Sequence, residues 1–317
     1  MGELFHVSSA PHVRAKDSTS RVMLYVILAM IPTTLFGIYN FGFRALLLII
    51  ATVLSCVASE TIFNKIVGKK NTINDLSAVV TGMILALNLP VNLPVWEAIL
   101  GGVFAIIVVK CLFGGLGQNF MNPALGARCF LLIAFASDMT NFVTDTYTGA
   151  TPLALIRNNG GVIPHDLDTM DMLLGFTSGT IGETCVIALL IGAIILVVTG
   201  TIDLKIPGAY IITFAIYMFL FGTSAFDFTY VVAQLCGGGL MFGAFFMATD
   251  YVTSPITPKG KILFGICCGI LTGIFRTIGA NAEGVSFAII LSNCLVPLIE
   301  KITIPTAFGV VKVKEGK

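Results

Sequence analysis

Long stretches without a single charge restrict this chain more than any other feature. Residues 22–39, 45–59, 184–202, 206–226 and 228–249 contain no Asp, Glu, Lys or Arg. In water, runs of this kind would leave more apolar surface than a fold of such length can hide. In a bilayer they fit, because a helix satisfies its own backbone and needs roughly 20 apolar residues to cross the hydrocarbon. Composition agrees: 56% of the 317 residues are hydrophobic and 11% charged, which excludes a soluble metabolic enzyme. With 18 Lys+Arg against 17 Asp+Glu there is no basic excess to form a nucleic-acid groove, so lipid is the medium and no nucleic acid the partner.

Other apolar segments are interrupted. Residues 76–96 carry Asn88, Pro90, Asn92 and Pro94; residues 98–109 stop at Lys110; residues 111–137 contain Gly114, Gly115, Gly117, Asn119, Asn122, Pro123 and Arg128. Residues 262–275 stop at Arg276, and residues 284–299 follow a polar stretch. Plain and interrupted segments together predict an all-α membrane protein of ten transmembrane helices. Lys and Arg in the short loops set its orientation. With the N-terminus cytoplasmic, all but Arg44, Arg128, Arg157 and Arg276 fall inside, Lys110 among them. The connection at 138–183 gathers Asp138, Asp145, Asp166, Asp168, Asp171 and Glu183 against Arg157 alone and belongs outside. Both termini are expected in the cytoplasm. The polar first 21 residues do not read as a cleavable signal peptide.

Sliding the chain against itself by 162 positions aligns residues 113–119 with 275–281. Phe, Gly and Asn match, and Leu faces Ile. Small gaps bring Gly82 onto Gly243, Pro94 onto Pro258 and Ala124 onto Ala288. Two five-span units follow, and an odd number of spans inverts the second relative to the first. The expected plan is a cytoplasmic segment 1–21, a first repeat 22–137, an outside loop 138–183, a second repeat 184–301 and a cytoplasmic tail 302–317. Gly117, Asn119 and Asn122 inside, with Gly279 and Asn281 outside, interrupt helices at equivalent places. Such residues either line cofactor or ion sites or cap half-helices. The glycines at 265, 269 and 273, and at 239 and 243, share helix faces and point to close helix contact.

Several chemistries are absent. No GxGxxG, GxxxxGK[ST] or HExxH occurs, and the three histidines lie outside the spans, which excludes haem held by paired intramembrane histidines. The eight cysteines form no CxxC pair and read as small buried hydrophobes, and no metal set is indicated. What remains is the outside sequence at 145–153, Asp-Thr-Tyr-Thr-Gly-Ala-Thr-Pro-Leu. Thr151 suits a helix N-cap and Pro152 the first helical position. A hydroxyl beside free backbone amides is also a seat for a phosphate.

Thr148-Gly149-Ala150-Thr151 resembles the [ST]GAT signature at which a flavin transferase esterifies FMN to the last Thr. The segment at 114–124 is similar to a glycine-rich GGLGxNxFNPA stretch. Both belong to the flavin-carrying membrane subunits shared by Rnf complexes and Na+-translocating NADH:quinone oxidoreductases. The resemblance covers essentially the whole chain. It is nearer to the RnfD branch, because the quinone-reductase relative carries an N-terminal extension missing here. Thr148 stands where Ser is frequent and Met121 where Leu or Ile is expected. The resemblance implies covalent FMN on Thr151, with Thr148, Gly149 and Ala150 as its motif. It also implies a five-plus-five inverted repeat like that of urea and ammonium transporters, in a prokaryotic cytoplasmic membrane. The implied role is electron carriage, without independent catalysis, in a complex with the A, B, C, E and G subunits of Rnf that couples ferredoxin oxidation and NAD+ reduction to Na+ or H+ export. A riboflavin on the cytoplasmic side, as in the quinone-reductase relative, is the second flavin it allows.

A phosphodiester in an acidic loop needs a cation, and Arg276, at the outside end of the ninth expected span, is the candidate; Arg157 should point away. The repeat and broken helices would equally serve a channel or secondary transporter for a small solute. The residues at 148–151 separate the two readings.

Overall fold

The computed structural model describes residues 18–69, 72–142, 149–164, 167–279 and 283–305, and its described regular elements are all helical. Thr148 and Asn281 lie outside the described residues. Thr19–Phe41 (α1) starts at Ser18, whose hydroxyl accepts from the Arg21 amide, and ends at Gly42. A φ of 73° at Gly42 lets the chain turn straight into Phe43–Val67 (α2). Ser77–Leu87 (α3) precedes Val95–Val103 (α4), which continues as a π-helix over Phe104–Cys111. Pro123–Ala134 (α5) leads to three short helices, Ala136–Met139 (α6), Pro152–Asn158 (α7) and Thr169–Leu174 (α8). Val186–Val198 (α9), Lys205–Phe221 (α10), Phe228–Cys236 (α11) and Leu240–Phe242 (α12) follow, the last running into a π-helix over Gly243–Met247. Pro258–Ile278 (α13) and Val285–Thr303 (α14) are the last described helices.

Four helices, α1, α2, α13 and α14, are long and apolar enough to cross a membrane. The pair of α11 with α12 and its π-helix makes a fifth, bent by 65°. α3, α5, α9 and α10 are shorter apolar helices. Two expected spans need correction. Residues 76–96 form two helices with an irregular link over 88–94, since Pro90 and Pro94 cannot donate to a helix ladder. Residues 228–249, expected as a plain span, break where Gly238 and Gly239 take φ of 65° and 66°.

Each break exposes carbonyls that must find donors in an apolar fold. At the end of α3 the donors are backbone amides: Gly182 N lies 2.7 Å from Leu87 O, and Ile181 N 3.1 Å from Leu89 O. At the end of α11 the donor is Arg276 of α13. Its Nη2 reaches Gly237 O at 2.9 Å and Gly238 O at 3.0 Å, its Nη1 reaches Gln234 O, and its guanidinium stacks 5.0 Å from the Phe214 ring.

The glycine face of α13 does pack closely. A Cβ at Gly265 or Gly269 would come within 2.8 Å of Ile206 O or 2.9 Å of Tyr210 O, so α13 rests on the backbone of α10. Where both are described, at 113–117 and 275–279, the aligned segments differ in conformation. Gly114, Gly115 and Gly117 all have positive φ and make a chain of turns, whereas their counterparts Arg276 and Thr277 continue α13 to Ile278, with Gly279 as its C-cap.

Arg276→Gln should lower the stability of the detergent-purified protein by about 3 kcal/mol, because it removes charge-assisted bonds to several buried carbonyls. The check is the thermal midpoint, with Arg276→Lys expected to recover only part of the loss, as an ammonium cannot span the same carbonyls.

Candidate functional site

α7 forms where the sequence indicated. Thr151 is extended at φ −67°, ψ 153°, its Oγ1 accepts from Ala154 N at 3.4 Å, and Pro152 occupies the first helical position. The helix is only seven residues long and is held by its neighbours. Ile156 is fully buried, and Leu153 packs on Gly237 and Gly238 at the break after α11. Ser178 Oγ donates to Ala150 O at 2.6 Å, and Arg157 donates to Gly279 O, away from Thr151 as expected.

Gly149, Ala150 and Thr151 form one wall of a cavity of about 170 Å³. Asn88, Arg128, Leu132, Phe142 and Glu283 form much of the rest. A smaller adjoining space brings Thr151 together with Glu183, Thr184 and Glu283. Arg128, 5% exposed, is the centre of the site. Its Nη1 lies 2.8 Å from Asn88 Oδ1, 3.0 Å from Ser286 Oγ and 3.0 Å from Glu183 Oε1, while Nη2 lies 2.9 Å from Glu283 Oε2. One guanidinium therefore joins the end of α3, the middle of α5, the connection before α9 and the entry to α14. Burial pushes the Glu183 carboxyl up from its ordinary range, against the opposing pull of Arg128. Arg128 Nε and Thr184 Oγ1 are buried without a hydrogen-bond partner among the described residues.

Arg276 does not line this cavity; its guanidinium is committed to the carbonyls after α11. The cation beside Thr151 is Arg128, which the sequence marked only as a charge inside a span.

A second cavity holds Asn119 and Asn122 together with Lys110, Asp250 and Phe245. Asn122 caps α5, its Oδ1 accepting from Ala124 N at 3.0 Å, and it also borders the cavity. Its Nδ2 reaches Met247 O at 3.4 Å, at the end of the π-helix after α12. Asn119 Nδ2 closes a local turn onto Met121 O at 3.1 Å. Gly117 is exposed at φ 90° and shapes the turn without lining either cavity, and Gly279 caps α13. Lys110, expected in a cytoplasmic loop, is instead buried, 3.0 Å from both Glu60 oxygens and 2.6 Å from Ser77 Oγ. The two cavities share α3 and α5 as walls: Ile84 and Pro123 line the second, Asn88 and Arg128 the first, so about 6–8 Å of helix separates their nearest walls.

Interrupted helices around cavities that hold a few polar side chains, in a chain with several helices able to cross a membrane, define a multi-pass membrane protein. The chain belongs to the NQR2, RnfD, RnfE family, whose model matches residues 6–309. It is 47% identical to the D subunit of the Na+-translocating ferredoxin:NAD+ oxidoreductase complex of Acetobacterium woodii, over 98% of this chain and 96% of the relative. It is 39% identical to the D subunit of the proton-translocating ferredoxin:NAD+ oxidoreductase complex of Clostridium ljungdahlii, over 96% of each. Identity to the D subunit of the ion-translocating oxidoreductase complex of Methanosarcina acetivorans is 35%, over 96% of this chain and 97% of the relative. None of these three is named as a solute channel, and the transporter reading has no support.

Arg128→Gln should destabilise the protein by about 3–5 kcal/mol, since it strands the buried Glu183 carboxylate and the half-buried one of Glu283. Combining it with Glu183→Gln and Glu283→Gln should return part of that loss in a thermal melt, because the uncompensated charges are then gone.

Proposed function

We propose that this chain is the D-type, flavin-carrying membrane component of an ion-translocating ferredoxin:NAD+ oxidoreductase complex, with FMN held as a phosphoester on Thr151. The observation that carries the flavin assignment is the coincidence of motif and cavity. The last Thr of Thr148-Gly149-Ala150-Thr151 stands at the wall of a buried space that contains a cation and orphaned polar atoms. Covalent FMN would supply one-electron carriage there. Thr151 would anchor it, Arg128 would offset its phosphate charge, and Leu132 and Phe142 would keep water from the ring. Relatives of this chain are named as subunits of an oxidoreductase complex, and the activity is assigned to the assembly.

The same reading extends to features of coarser support. The shorter helices α3, α5, α9 and α10, together with α4 and its π-helix, complete ten spans in two inverted repeats, bounded as 22–137 and 184–301, with both termini in the cytoplasm. The outside loop 138–183 meets the flavin transferase during maturation. The A, B, C, E and G components of the Rnf type are the partners, and Na+ or H+ is the ion exported across a prokaryotic cytoplasmic membrane. The second cavity, with Asn119, Asn122, Lys110 and Asp250 among its walls, is the place for a non-covalent riboflavin.

Thr151→Ala should abolish ultraviolet fluorescence of the denatured band while the protein still inserts, since the lost cap is worth only about 1 kcal/mol. Thr148→Ala should weaken the band without removing it. Undiminished fluorescence in Thr151→Ala would overturn the assignment.

A further inference from the structure

As a flavin acceptor, Thr151 meets an obstacle in the folded chain: the residue is 6% exposed. Esterification requires the Thr151 Oγ to attack the flavin-bearing phosphorus of a flavin dinucleotide. The phosphoanhydride bond breaks, a nucleoside monophosphate leaves, and the hydroxyl proton passes to a base of the transferase. No electron changes hands. For this a second protein must close around residues 148–151 and reach the face of phosphorus opposite the leaving group.

The fold prevents such an approach. Thr151 Oγ1 is turned back onto Ala154 N, and the two residues that follow, Pro152 and Leu153, are buried. Among the described residues the segment is fastened in several places: Ala150 O accepts from Ser178 Oγ, Leu153 sits against Gly237 and Gly238, Ile156 is buried in the core, and Arg157 donates to Gly279 O. A helix of seven residues has little stability of its own, so its place depends on these fastenings. Without them Thr151 would be free in an extended segment.

We propose that Thr151 is modified while the strap of residues 149–159 is undocked, and that docking afterwards seals the ester into the Arg128 cavity. The inference rests on Thr151 being the acceptor. These fastenings are made by the chain's own residues, so closure before modification competes with maturation, and the modification rate scales with the open fraction.

The test uses the full-length protein made without a flavin transferase, reconstituted in lipid nanodiscs, then given purified transferase and flavin adenine dinucleotide. The initial rate of covalent fluorescence is read on denaturing gels. Ile156→Ala and Ser178→Ala loosen the strap outside the recognition motif, and Ile156→Ala should react at least about tenfold faster than wild type, with Ser178→Ala intermediate. A folded wild type that reacts as fast as Ile156→Ala overturns the order. Should either variant fail to insert, the wild type alone decides. Chain synthesised with the transferase present should be modified at least about tenfold faster than chain given it after folding, and equal rates overturn the proposal. Absence of any Thr151-dependent fluorescence on co-expression would instead remove the acceptor assignment.

Discussion

A guanidinium buried in an apolar fold must be paired, and the pairing of Arg128 organises the rest of this molecule. An isolated charge at that depth is costly, and the structure offsets it with two carboxylates, an amide and a hydroxyl drawn from three separate segments. Because Asn88 stands at the end of α3 and Glu183 and Glu283 closely precede α9 and α14, the same contacts fix where three helices start or stop. The cavity beside Thr151 is the space this knot leaves between them. Its shape therefore follows from electrostatics rather than from apolar packing.

The interrupted helices are stabilised in different ways. Backbone amides of residues 181 and 182 cover the end of α3, so the long connection before α9 completes the first half of the fold. A side chain from α13 covers the end of α11, which lets that helix break without borrowing a loop. A third device is Asn122, whose side chain caps its own helix with one atom and reaches the end of the π-helix after α12 with another. Gly239 adds a steric condition: a Cβ there would collide with the Glu183 carboxylate, so the positive φ and the ion-pair knot require the same residue.

The membrane class, the cap at Thr151, the use of Pro152 and the close glycine face of α13 are all legible in the sequence, because each depends on local pattern. The breaks are legible where proline announces them, at residues 88–94, and hidden where glycines alone make them, at 237–239, since a glycine run reads equally well as close packing. The role of Arg128 is not legible. It turns on Glu183 and Glu283, which lie 55 and 155 positions along the chain and whose proximity only the tertiary fold creates. Arg276 reads as a cation for a ligand because charge at a helix end suggests an outward task, yet acceptors from α11 and the turn after it occupy it. Lys110 and Glu60 each end an uncharged run, and that coincidence is the available signal of a buried pair.

The two cavities are near neighbours with shared walls. Ile84 and Pro123 line one, Asn88 and Arg128 the other, so about 6–8 Å of α3 and α5 separates their nearest walls. Met247 spans that partition: its Sδ receives Asn88 Nδ2 and its carbonyl receives Asn122 Nδ2. Close-packed helix transmits displacement instead of absorbing it. A shift of the Arg128 knot therefore moves the wall of the second cavity, which couples the two spaces mechanically across a single turn of helix.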